Sequence, residues 1–81
     1  MNTPITDRQL KYLNILLNRY FGDNRKLYLK MFYEVDSSKE LSKFQASEII
    51  EKFVDDNKDK DKNIALVQNE IYKKLGQQSL L

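Results

Sequence analysis

The chain contains no cysteine, no histidine and no tryptophan, and only two glycines and one proline. Each absence closes a class of chemistry. Without cysteine there are no disulfides and no thiolate chemistry. Without histidine the commonest general base and the commonest transition-metal ligand are missing. Two glycines cannot build a glycine-rich phosphate loop. Long apolar runs are also missing: stretches such as "ILL" at 15–17 are far too short to span a bilayer. No segment reads as a secretory signal, so the expected compartment is the cytoplasm. A domain this small with no His, Cys or Gly loop rarely assembles an active site, so the reading is of a non-enzyme without a cofactor, a metal or a small-molecule substrate.

What is present belongs to a folded protein. Of 81 residues, 41% are hydrophobic and 32% charged, and five Tyr and four Phe supply the bulk of a small core. Strand alternation is absent, and helical periodicity runs through most of the chain. The expected fold class is all-α, a compact bundle of three to four short helices in one domain. Within it the sequence reads as a core module over about 5–54, a polar connector over 55–62, a C-terminal helix over about 62–75 and a tail over 76–81.

Two helix starts are written in the same grammar. In "ITDRQL" (5–10) and "LSKFQA" (41–46) an apolar residue precedes Thr or Ser, with Gln three residues further on. That is a capping box: the hydroxyl of Thr6 or Ser42 accepts from the helix, and Gln9 or Gln45 returns a bond to the cap. Ile5 against Leu10, and Leu41 against Ala46, complete hydrophobic staples. The first helix is predicted over Asp7 to Phe21, with Leu10, Leu13, Leu16, Leu17, Tyr20 and Phe21 inward. Gly22 ends it with a left-handed residue. Asp23 then caps a second helix from Asn24 to about Val35, facing inward with Leu27, Tyr28, Met31, Phe32 and Val35, and with Leu29 and Tyr33 at the borders. Residues 36–42 form a turn with a short helical piece. A third helix follows from Lys43 to about Asp56, burying Ala46, Ile49, Ile50, Phe53 and Val54. The fourth places Ile64, Val67, Ile71 and Leu75 in register and stops at Gly76.

Charge is unevenly spread. Residues 1–35 hold six bases and three acids, a balance of +3, whereas 36–81 hold eight bases and nine acids, a balance of −1. A basic first half suits nucleic acid. Arg8, Lys11 and Arg19 share the outer arc of the first helix, with Ile15 in their midst and Tyr12 at the edge. Cations around an aromatic and an aliphatic side chain suit a phosphate backbone with a stacked base. They equally suit an acidic protein partner, or a fourth helix or second chain covering Ile15. The connector imitates part of an EF-hand, with Asp59, Asp61, Asn63 and Glu70 at ligand spacing, but Ile64 stands where that loop needs glycine. No calcium site is expected.

The pattern from "ITDRQLKYLNILL" to "SSKELSKFQASEIIEKF" resembles a small helical module of phage and mobile-element proteins. It is similar to the tail module of some single-strand annealing recombination proteins and to phage regulators of the GemA type. The resemblance rests on Thr6, Gln9, Leu13, Leu41, Ser42, Ala46, Ser47 and Ile50, and covers about 5–54. It implies a context of DNA metabolism and carries no catalytic residues. The resulting expectation is a non-catalytic accessory protein that binds single-stranded DNA. Arg8, Lys11, Arg19, Arg25 and Lys26 would contact phosphates, and Tyr12 is the candidate stacking platform. The alternative is a protein-interaction or homodimerisation module. No membrane partner is expected.

Overall fold

In the computed structural model, which describes residues 3–79, the two matched helix starts lie side by side. Ile5 N–H donates to Leu41 O at 3.3 Å and Lys43 N–H to Thr3 O at 2.7 Å, closing an isolated antiparallel bridge between Pro4 and Ser42. Pro4 occupies the member of the bridge that has no hydrogen bond to make, so its missing N–H costs nothing. Helix α1 spans Asp7–Phe21 and helix α3 spans Lys43–Phe53, each opened by the capping box that the sequence spells. Gln9 does double duty. Its Oε1 accepts from Thr6 N–H at 3.2 Å, while its Nε2 donates to Lys43 O at 3.3 Å and Ser47 Oγ at 3.2 Å. A glutamate could form the box but not the bridge to α3, because an ionised carboxylate has no donor.

Gly22 ends α1 at φ 53°, ψ −126°. The positive φ is as expected, but the ψ lies outside the left-handed helical region, in a conformation open chiefly to glycine. A 3-10 turn over Gly22–Asn24 follows, and α2 spans Arg25–Tyr33. Asp23 therefore does not cap α2: it lies inside the turn, the cap position passes to Asn24, and no side chain caps the helix. Helix α2 stops two residues early because Glu34 turns left-handed at φ 56°, ψ 37°. A second 3-10 turn, Ser38–Glu40, carries a third capping box between Ser37 and Glu40.

Helix α3 ends at Phe53 rather than near Asp56. Val54 is extended, and the last carbonyls of the helix are taken by side chains from further on: Asn57 Nδ2 donates to Glu51 O at 2.7 Å and Asn63 Nδ2 to Lys52 O at 3.1 Å. Helix α4 spans Lys60–Ser79. It takes in the end of the predicted connector and runs through Gly76, which costs a helix only about 1 kcal/mol relative to Ala. The predicted tail is thus helical as far as Ser79, and Leu80 and Leu81 lie outside the described residues. Asp61, Asn63 and Glu70 belong to this helix, so the calcium-like spacing does not fall on a loop.

The fold is an all-α bundle. Its core gathers Leu13, Leu16, Leu17 and Phe21 of α1 with Tyr28 and Leu29 of α2, and Leu41 joins them. Ile49 and Phe53 of α3 and Ile64, Val67 and Ile71 of α4 complete it. Phe53 is the hub, with its ring 5.4 Å from Phe21, 6.0 Å from Tyr28 and 6.4 Å from Tyr20. The burial of α2 differs from its predicted arc. Leu29, placed at the border, is 3% exposed, whereas Phe32, placed inside, is 43% exposed. Leu29 lies on the side of α2 that faces Leu17 of α1, whereas α4, packed on α3 and α2, leaves the seam beside Phe32 open, where Leu66 is also exposed. Among the described residues no helix is long and apolar enough to cross a membrane.

Candidate nucleic-acid interface

Because α1 buries one side against α3 and α2, its opposite side is presented whole. Arg8, Lys11, Asn14, Asn18 and Arg19 are exposed there. Ile15 in their midst is 52% exposed and Tyr12 is 43% exposed. Neither α4 nor any other described element covers Ile15, which removes intramolecular packing from the readings open to it. Helix α1 holds a single acid, Asp7, at the end where the helix dipole favours it.

The basic side chains of this face are not neutralised by neighbours. The ion pairs among the described residues are Lys30–Asp36 at 3.4 Å, Lys60–Asp55 at 3.1 Å and Lys73–Glu70 at 3.7 Å. Arg8, Lys11, Arg19, Arg25 and Lys26 take part in none of them. Arg25 is the exception to full exposure. It is half-buried, and its Nη1 donates to Gly22 O at 3.0 Å, which fixes the guanidinium and leaves it other donors.

Four of the five cations line two hollows that share Asn14. Arg8 and Lys11 flank a shallow hollow on α1 that reaches Asn14. Asn14 also lines a second cleft, of about 410 Å³, between α1, the start of α2 and residues 36–39. Arg25 and Lys26 form part of its wall, joined by Lys39. Ser38, the one buried polar residue among the described residues, donates from its Oγ to Asn14 Oδ1 at 2.8 Å and ties the second 3-10 turn to α1. Arg19 lies on the same helix, about two turns beyond Lys11.

Two residues that bear on this surface were not among the sequence candidates. Lys39 enters only because the 36–40 segment folds back onto α1, which no local pattern announces. Phe44 is 85% exposed, the most exposed aromatic side chain of the described residues, and lines a hollow with Thr3, Lys43 and Ser47. The bonds from Gln9 to Lys43 and Ser47 set this first turn of α3 against the first turn of α1. Phe44 stands on the polar face of an amphipathic helix, as Ile15 does, and that was its signal.

Acid–base chemistry finds little here. Burial pushes the Tyr28 phenol well above its ordinary range, helped by the neighbouring Tyr33 hydroxyl. Burial also raises Tyr33, with the Glu48 carboxylate adding to the effect. Both shifts carry the groups further from neutral pH, the opposite of what a catalytic acid or base requires. Among the described residues no three acidic side chains gather where they could hold a metal ion. No protein family matches the chain, and neither a curated protein nor a solved structure matches it.

Proposed function

We propose that the protein is a small, non-catalytic binder of single-stranded nucleic acid, most simply DNA, acting as a cytoplasmic accessory in phage or mobile-element DNA metabolism. The observation that carries this reading is the outer face of α1. There Arg8, Lys11 and Arg19 stand exposed and without carboxylate partners around exposed Ile15 and Tyr12. Phosphates supply the charge these cations lack. Unstacked bases supply apolar faces for the exposed rings, with base–aromatic stacking worth about 1–3 kcal/mol each. A duplex would offer its phosphates but keep its bases stacked, and would leave Ile15, Tyr12 and Phe44 without a role.

The test is fluorescence anisotropy of a labelled single strand at low salt, with Lys11→Glu/Arg19→Glu as the reversal variant. Both side chains are exposed, so the fold should be unchanged by circular dichroism while affinity falls for all sequences alike. Unaltered affinity in that variant refutes the assignment of this face.

A second reading, self-association, draws on a different surface. Phe32 and Leu66 are both exposed and line one hollow between α2 and α4. If this seam joins two copies, sedimentation equilibrium gives a dimer that Leu66→Lys dissociates and that salt leaves intact. A monomer at all concentrations removes this reading.

A further inference from the structure

The cleft beside α1 differs in kind from the helix face that it adjoins. The α1 face offers its cations spread along a helix. The cleft instead gathers Arg25, Lys26 and Lys39 around one recess of about 410 Å³, with the amides of Asn14 and Asn18 on the α1 side. Its one carboxylate, Asp36, pairs outward with Lys30 at 3.4 Å. Lys26 and Lys39 form no ion pair among the described residues, and Arg25 has spent one donor on Gly22 O. The Asn14 carbonyl is held by Ser38, and its Nδ2 donates to nothing among the described residues.

We propose that this cleft is an anchoring site for a terminal phosphate, the phosphomonoester at the end of a nucleic-acid strand. An internal phosphodiester carries one negative charge and has chain running away on both sides, so it brings less charge to the three cations than the end of a strand does. A phosphomonoester carries about −1.5 to −2 at neutral pH and presents three acceptor oxygens. Three cations and convergent amide donors match that charge and that acceptor set. The recess adjoins the hollow of Arg8 and Lys11 at their shared wall residue Asn14, so a strand anchored by its end would have the outer face of α1 beside it. The proposal rests on the nucleic-acid reading for the body of its ligand, but the phosphate group alone is enough to test the recess.

Two measurements separate the two ideas. In the first, unlabelled single strands of one sequence, ending in a 5′-phosphate, a 3′-phosphate or hydroxyls only, compete against a labelled strand. One phosphorylated form should compete about tenfold more strongly than the hydroxyl form, the scale of one or two charge-assisted hydrogen bonds. Lys26→Gln/Lys39→Gln should erase that preference. In the second, inorganic phosphate is titrated while the backbone amides are followed by nuclear magnetic resonance. Amides of Arg25, Lys26 and Ser37 to Lys39 should move, beyond any change caused by chloride at equal ionic strength. If strands bind regardless of their ends and phosphate moves none of these amides, the cleft proposal is overturned while the α1 face stands. If phosphate moves them but no strand binds, the anion site stands and the nucleic-acid reading falls.

Discussion

Replacing Phe53 with Ala would remove the ring on which the bundle converges. Phe53 is 0% exposed, and its ring packs against Tyr20, Phe21 and Tyr28 at 6.4, 5.4 and 6.0 Å. Buried Phe→Ala changes cost about 3–5 kcal/mol, and the loss of three aromatic contacts places this one at the upper end. A domain of this length is stable by only about 4–12 kcal/mol in total. The variant should therefore be largely unfolded or close to it, with helical signal lost at low denaturant. Phe53→Leu keeps most of the volume, should cost about 1.5 kcal/mol and should remain foldable, so the effect stays measurable. Phe44→Ala is the matched control nine positions earlier in the same helix. That ring is exposed, and its removal should change stability by less than about 0.5 kcal/mol. Urea denaturation followed by far-ultraviolet circular dichroism gives the three midpoints. If Phe53→Ala lies within about 1 kcal/mol of Phe44→Ala, the aromatic hub is not what holds the helices together.

The remaining structural predictions are smaller. Ser42→Ala should lose about 1 kcal/mol in the same assay, since Ser42 Oγ accepts from Gln45 N–H at 3.1 Å at the start of α3; stability equal to wild type would mean that the cap is not formed. Glu34→Gly should gain about 1 kcal/mol, because a side chain held at φ 56° pays for a left-handed conformation that glycine adopts freely. Alkaline stability should depend on Tyr28. Its folded pKa is raised, so its contribution is complete below the unfolded value near 10. Above that pH the unfolded chain releases the proton and the folded one retains it, so stability falls by up to about 1.4 kcal/mol per pH unit. Tyr28→Phe should lessen that slope in urea midpoints measured across alkaline pH, and an unchanged slope would place the titration elsewhere.

How far the sequence revealed this structure depends on where each signal was kept. Helix α1 was legible to the residue because both its ends are local: Thr6 and Gln9 open it and Gly22 closes it. The start of α3 was legible for the same reason. The Ser37–Glu40 box obeys the same rule in "SSKE", yet it caps only a 3-10 turn. The end of α3 was not legible, because Asn57 and Asn63 close it from six and eleven residues beyond the carbonyls that they reach. Gly76 misled because a glycine ends a helix only where the chain has somewhere else to go. The outer face of α1 could be read from periodicity alone. The cleft could not, since Lys39 reaches it through the Ser38–Asn14 bond across 24 positions.

The most direct test of the central claim is the salt dependence of single-strand binding. On a single strand each phosphate neutralised contributes about 0.7 to the slope of log affinity against log salt. Three contacts from Arg8, Lys11 and Arg19 predict a slope of about −2, steepening to about −3.5 if Arg25 and Lys26 also engage. Anisotropy titrations at four or more salt concentrations measure it, and Lys11→Glu/Arg19→Glu should flatten it by about 1.4. No binding at low salt, or a slope that the double reversal leaves unchanged, would contradict the account and return the face of α1 to a protein partner.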